Sequence, residues 1–516
     1  MEAHSKSVLT IANQIAKFHA QKTPFRIYHG STNSTRSTTF SDATSVNISG
    51  LNNVISVNPQ ACTCLVEANV PMDALVAATL PFKLIPPVVP EFPGITIGGA
   101  FAGTGGESSS FRYDFFDQCV KWVEIVLANG EVVIASPTED PDLFWGSAGT
   151  FGTLGVATLF EINLIPAKDF VKVTYHQVQS FIEAQKMFTS LQSCPQTDFV
   201  DGIMFSKTIG VIVAGTLVDY DHYQRKTAPP IANFSRPRDQ WFYLHAQDVL
   251  SQHPASSPPH EELIPTTSYL FRYDRGAFWT GFFVFQWFGI PFNRLTRFLL
   301  DWLMSTRILY HGLHASGLGD GYMIQDLCLP EATAEQFLNW LDAEYAVYPL
   351  WLCPMKQNKR VSMNPHIPSP GNAGETNGEA LLNIGVWAPC PPGDRVSVNR
   401  TVEAKLRSLG GMKWLYADTF YTEEEFWSIY DRKWYTDLRR KYGAAGLPDV
   451  YQKVRTVIRS PAQVRNHVEA SSSGAFWGSE SSVAGLWTRF CRVWPLPGVM
   501  AVYSALRGVE YLKERG

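Results

Sequence analysis

Apolar positions in the first twenty residues fall at Val8, Ile11, Ile15 and Phe18. That spacing of three and four lays one apolar stripe along a helix. The period then changes. Residues 24–28 (PFRIY) read as a short strand, and VNISGL and NNVISVNPQACTCLVEANVP as two strands with a turn. MDALVAATLP reads as an amphipathic helix and FKLIPPVVPEFP as an exit through prolines, closing a β-β-α unit near residue 84. A second unit begins at GITIGG. Its strands KWVEIVLANG and EVVIASP predict a hairpin turning at Asn129-Gly130, because Asn-Gly tolerates the positive φ of a tight turn. DPDLFWGSAGTFGTLGVATLFEINLIPA reads as a helix or turn followed by a strand. Beyond about residue 168, strands such as FVKVTYHQV and IGVIVAGTLV alternate with helices. Loops are expected over 252–268 and 357–380, and helix again over 411–453.

This pattern predicts an α+β protein. Residues 1–165 form a first domain of two small lobes, and 166–410 a second domain with a sheet and helices. Residues 411–469 form a helical segment packing back on both, and 470–516 an appended tail carrying Trp487, Phe490 and Trp494.

Composition narrows the class. A hydrophobic fraction of 45% against 17% charged describes a core-forming globular chain. Aromatics at 13% suit a large apolar pocket as well as a core. The net charge of -4, with no long basic run, gives a nucleic-acid partner no electrostatic support. The eight cysteines include no CxxC pair, so a zinc cluster is not indicated, no metal is expected, and a reducing compartment fits. The N-terminus lacks an apolar signal core, so a cytoplasmic location is expected. The uncharged stretch Gly276–Phe292 is shorter than the roughly 20 residues that cross a bilayer, and Gly281, Gly289 and Pro291 interrupt it. It reads as the wall of a buried pocket. Docking on a membrane surface, with Arg294 and Arg297 at its flank, is the alternative.

Three glycine-rich turns carry the candidate chemistry. The first runs from His29 and Gly30 through Ser31, Thr32, Asn33, Ser34 and Thr35 directly after a strand, where backbone N–H groups and hydroxyls can hold a diphosphate. The second contains Gly98, Gly99, Gly103, Thr104, Gly105 and Gly106, followed by Glu107, Ser108 and Ser109. The third contains Gly152, Thr153, Gly155 and Val156. None matches a dinucleotide fingerprint or a P-loop. Each alone is compatible with an ordinary turn. Together, within one stretch of about 130 residues, they indicate a cofactor site.

Their order and spacing resemble the FAD-binding domain of the vanillyl-alcohol oxidase and para-cresol methylhydroxylase (PCMH) superfamily. The segments PVVPEFPGITIGG, GTGGESSSFRYDFFDQC, DPDLFW, YPLWLCP, LYAD and EEEFW resemble 24-dehydrocholesterol reductase and the diminuto-like flavoproteins, with fungal-type members similar at HGSTNSTR and FRYDRGAFW. The resemblance implies a two-lobed PCMH-type domain over 1–165 and a substrate or cap domain after it. It also implies FAD on the three glycine turns. Members that bind FAD covalently use a histidine where this chain has Asn33, so non-covalent FAD is expected. The implied reaction is reduction of a carbon–carbon double bond in a large apolar sterol or terpenoid with electrons from NADPH, at a site peripheral to the endoplasmic reticulum membrane. Two alternatives stay open: an oxidase or oxidative cyclase of secondary metabolism, and a cyclase that keeps flavin without using its redox chemistry. The charged knot Arg272, Tyr273 and Arg275, just before the aromatic stretch, is expected to border the flavin and to supply charge and a proton. A satisfied ion-pair cluster would look the same in sequence. Gln325, Asp326, Tyr416 and Asp418 read as buried structural groups, and Glu107 as a ribose contact or a loop cap.

Overall fold

The N-terminal helix, Glu2–Ala20, buries Val8, Ile11, Ile15 and Phe18 along one face. Its first turn is fixed by His4, whose ring nitrogens meet Glu67 at 2.7 Å and Glu124 at 3.0 Å. The computed structural model of the protein describes residues 1–30, 40–220, 228–253, 257–316, 318–356, 362–366, 380–456 and position 503. Ser31, Thr32, Asn33, Ser34 and Thr35, most of the 357–380 loop and the tail lie outside the described residues.

The first domain is built on a five-stranded antiparallel sheet. Its spatial order is Val54–Asn58, Thr63–Glu67, Gly155–Asn163, Val120–Leu127 and Val132–Ala135. The strand Gly155–Asn163 inserts between two hairpins formed earlier in the chain. Its N-terminal glycines are thereby brought beside the helix Ile97–Gly103, which packs on the same sheet. A parallel pair, Arg26–Tyr28 with Ser45–Asn47, lies beside it. The hairpin turn falls at Gly130, with φ +91°, as its Asn-Gly sequence requires.

The second sheet has eight strands, in the order His260–Pro265, Phe170–Val178, Ile209–Val218, Phe199–Ser206, Leu350–Met355, Leu381–Pro389, Tyr322–Pro330 and Met412–Lys413. Every pairing in it is antiparallel. The inner strands are apolar on both faces because helices and the first domain cover them. Leu350–Met355, for example, is buried throughout. After Met412–Lys413 the chain returns to the first domain. Tyr435 donates its hydroxyl to Thr153 at 2.7 Å, and Lys441 pairs with Asp142 at 2.6 Å.

Two elements differ from the sequence reading. The second glycine run is not an open loop at its start. Residues Ile97–Gly103 are helical, capped by Thr96, whose hydroxyl accepts from the Gly99 amide. The expected loop at 252–268 contains the edge strand His260–Pro265. Leu263 and Ile264 are buried there, and Glu262 is held by Tyr175 at 2.5 Å and by His245 at 3.0 Å. The aromatic stretch folds as the helix Thr280–Phe288. Among the described residues no helix is long and apolar enough to cross a membrane.

Candidate active site

A cleft of about 320 Å³ runs between the two domains. Its first wall is backbone-rich, made by Gly98, Gly99, Gly103, Gly105 and Gly106 with Gly152 and Gly155. Sterics explain the glycines. A Cβ on Gly98 would lie 3.1 Å from the Ala68 carbonyl oxygen. A Cβ on Gly152, whose φ is +70°, would lie 2.4 Å from Ile27. The opposite wall comes from the second domain and the returning segment: Phe278, Tyr310, Asp326, Trp351, Trp387 and Tyr416. At one end stand Arg26, His29 and Lys453, the last bonded to the Phe151 carbonyl.

Several residues of the glycine turns support the cleft without lining it. Thr104 is buried, and its carbonyl accepts from Trp414 at 2.8 Å. Ser108 and Ser109 are buried and donate to Glu107, which makes Glu107 a loop cap and not a ribose contact. Thr153 is tied to Thr150 and Tyr435, and Val156 is a core residue. Gly30 is exposed and is not part of the cleft wall.

The cleft fits a flavin nucleotide on the residues present. It is long, flanked by bare backbone, and three of its lining residues hold buried polar atoms with no protein partner: His29 Nδ1, Ser147 Oγ and Glu91 Oε1. Such atoms also occur away from the cleft, and these three support a ligand because they face the bare-backbone wall. Burial and the neighbouring Lys453 push His29 down to about 4, so the ring is a neutral hydrogen-bonding group near pH 7.

A second cavity of about 330 Å³ adjoins the first and shares Phe92, Tyr310, Ile324 and Trp387 with it. Its lining is almost wholly apolar. Val284, Phe285 and Phe288 come from the aromatic helix, and Leu303, Ile308 and Leu309 from the segment that follows. The stretch read from sequence as a pocket wall lies in this position.

The knot at Arg272, Tyr273 and Arg275 sits behind the cleft and lines neither cavity. Asp201, fully buried, explains why. One of its oxygens accepts from Arg272 at 2.9 Å, Tyr273 at 2.7 Å and Trp351 at 2.9 Å. Arg275 turns the other way, to Asp301 and the carbonyl of Asp239. The expectation that the knot borders the flavin is therefore corrected: these side chains are consumed by buried partners. They act on the cleft through packing. Tyr273 stacks on Phe278 at 4.1 Å, and Phe278 stacks on Trp387 at 4.2 Å. Gly276, Ala277 and Phe278 all have positive φ. This strained turn is what swings the Phe278 ring into the wall.

Sequence reasoning treated Asp326 and Tyr416 as structural, yet both line the cleft. Asp326 accepts from Asn383 at 3.1 Å, and burial lifts its carboxyl to about 6. Tyr416 interacts with it. Gln325 and Asp418 are structural. With Glu403 they enclose the fully buried Lys413, whose ammonium meets Gln325 at 2.5 Å and Glu403 at 3.0 Å.

Residues 3–136 match the family described as FAD binding domain. The chain is 31% identical over 422 residues to the Delta(24)-sterol reductase of Macaca fascicularis, covering 79% of this chain and 77% of that protein. It is 30% identical over 467 residues to the Delta(24)-sterol reductase of Arabidopsis thaliana, covering 84% and 80%. A shorter similarity, 31% over 137 residues and 26% of each chain, links it to Cytokinin dehydrogenase 9 of Oryza sativa subsp. japonica. The glycine-walled cleft, its unsatisfied polar atoms and these likenesses together place the chain in the delta(24)-sterol reductase family, as an FAD-dependent oxidoreductase.

Proposed function

We propose that the protein reduces a carbon–carbon double bond in a large apolar molecule of the sterol or terpenoid class, with a nicotinamide nucleotide such as NADPH as the source of electrons. The observation that carries this reading is the apolar cavity beside the flavin cleft, which shares Phe92, Tyr310, Ile324 and Trp387 with it. FAD, when bound, supplies the hydride. The residues of the chain do the rest. The glycine wall lets the cofactor lie against backbone, Phe278 and Trp387 form a flat apolar surface opposite, and the aromatic helix keeps water from the substrate. Non-covalent FAD is part of this proposal, on the ground that asparagine occupies position 33.

Anaerobic stopped-flow spectroscopy tests the reading. The nucleotide should bleach the flavin without substrate, and an alkene-bearing sterol should restore its colour. Bleaching by the organic substrate alone would support the oxidase alternative. Turnover surviving replacement of FAD by a redox-inactive analogue would support the non-redox one.

Contact with a membrane surface belongs to the same proposal. On residues 294–302, Leu295, Phe298, Leu299 and Trp302 are 65%, 49%, 57% and 55% exposed. Their spacing of three and four puts them on one side, while Leu300 and Leu303 of the same segment line the apolar cavity. Arg294 and Arg297 have no carboxylate partner among the described residues. An exposed apolar strip flanked by Arg294 and by Arg297, whose guanidinium lies over the Phe292 ring at 4.9 Å, suits an anionic lipid interface. Co-sedimentation with phosphatidylserine vesicles should fall several-fold in Leu299→Glu/Trp302→Glu. Equal sedimentation of the variant and the parent protein would remove this face from the proposal.

A further inference from the structure

We infer that Glu91 is the proton donor of the alkene reduction, an inference that rests on the reductase reading above. Glu91 lies in the turn between Pro90 and Phe92. It lines the flavin cleft, and the next residue, Phe92, lines both cavities. The residue is 8% exposed, and its Oε1 meets no hydrogen-bond donor. Burial with one oxygen unpartnered favours the neutral acid, and the hydrogen bond from the residue's own amide opposes this only in part. The charges around it agree. Burial and the nearby Glu107 raise its pKa well above the usual carboxylate range, Asp201 adds to this, and Arg272 opposes it only in part. The uncharged neighbours within electrostatic reach are Tyr273, Cys353 and Tyr416, each itself held protonated by burial.

Four other titratable groups lining the cleft suit the role less well. His29 is pushed down to about 4 and is neutral. Asp326 is tied to Asn383 and, at about 6, is mostly ionised near pH 7. The phenols of Tyr310 and Tyr416 are raised further by burial, which weakens them as acids. An isolated double bond has no carbonyl to accept negative charge, so its reduction needs a strong proton donor on one carbon as hydride reaches the other. In the balanced step the alkene gains a hydride from reduced FAD and a proton from Glu91. One new C–H bond forms at each carbon, and the carboxylate left behind is reprotonated from water. The two electrons come from the nicotinamide nucleotide that reduced the FAD.

The test separates the half-reactions. In Glu91→Gln, reduction of bound FAD by NADPH, measured per bound flavin, is the internal control for the half-reaction that follows. Reoxidation by a sterol with an isolated double bond should slow on the order of 1,000-fold, within the range for a lost general acid. Glu91→Asp should retain part of the rate and move the basic limb of its pH profile. Independently of activity, the infrared spectrum of the flavin-free protein near pH 7 should show a protonated carboxyl band that Glu91→Gln removes. A parent protein that the sterol leaves reduced would overturn the reductase reading and this inference with it. A Glu91→Gln protein reoxidised at the parental rate, or the absence of the band, would overturn the assignment of Glu91 alone.

Discussion

Tyr273→Phe separates packing from chemistry at the knot behind the cleft. The phenol donates to Asp201 at 2.7 Å from a position that is 1% exposed. Losing a buried hydrogen bond to a charged acceptor costs about 1.5–3 kcal/mol. Asp201 keeps Arg272 and Trp351 as donors, both at 2.9 Å, so it is not stranded. The cost should therefore fall at the lower end, about 1.5–2 kcal/mol, or a ten- to thirtyfold loss in the folded-to-unfolded ratio. Phenylalanine preserves the ring that stacks on Phe278 and lies under the Arg272 guanidinium at 4.8 Å, so the cleft wall stays in place. The measurements are urea denaturation, flavin content and turnover per bound flavin. A lower midpoint with turnover per flavin within about twofold is expected. Unchanged stability with turnover per flavin reduced on the order of 100-fold, the loss typical of a general acid, would refute this reasoning and return the phenol to the reaction.

Three further outcomes are expected. Gly152→Val should abolish FAD retention, because φ +70° and a Cβ 2.4 Å from Ile27 combine backbone strain with overpacking, together several kcal/mol; absorbance of the purified variant checks it. Acid precipitation should release the yellow colour into the supernatant, and colour staying with the pellet would show a covalent bond. His29 is neutral when folded because its pKa is lowered to about 4. As pH falls below its ordinary 6.5, the unfolded chain binds the proton first and stability drops, levelling off near pH 4. The flavin-free parent should lose about 2 kcal/mol more than His29→Asn across that window, discounting the partial exposure of the ring; denaturation midpoints at pH 7 and pH 4.5 measure the difference.

The near wall of the site was legible in sequence because it is local. The glycines at 98–106 lie in and just after the helix Ile97–Gly103, those at 152–155 run into the strand Gly155–Asn163, and the absence of side chains is itself the signal. Most of the far wall was not legible, although Phe278 falls within the stretch 276–292 read as a pocket wall. Phe278, Tyr310, Asp326, Trp351, Trp387 and Tyr416 meet only through the pairing order of the eight-stranded sheet, which no periodicity encodes. The knot misled for a related reason. Arg272 and Tyr273 have the residue types of an active site, but their roles depend on Asp201, which stands 71 and 72 positions earlier on the strand Phe199–Ser206. Glu91 did carry a signal, a single carboxyl inside the apolar, proline-flanked run PVVPEFPG, and that local conflict between polarity and surroundings is how a functional group declares itself. Helices and strands were read well where burial is one-sided, as in Glu2–Ala20. They were read poorly at His260–Pro265, where two turn-rich flanks hid a short edge strand.

Most of the apolar cavity is supplied by one uninterrupted run of chain, from Ala277 to Leu313, whereas the flavin cleft draws its glycines from before residue 156. The two compartments are therefore encoded in separate stretches of the gene and meet at only a few shared side chains. On the proposed function, mutation of this run outside Phe278 and Tyr310, which also line the flavin cleft, would reshape the apolar cavity and leave the cofactor's walls as they are. With those two residues kept, 277–313 forms a natural cassette: exchanged between homologues, it would carry a substrate preference across as a unit, and a library confined to it would explore new molecules on an unchanged redox engine.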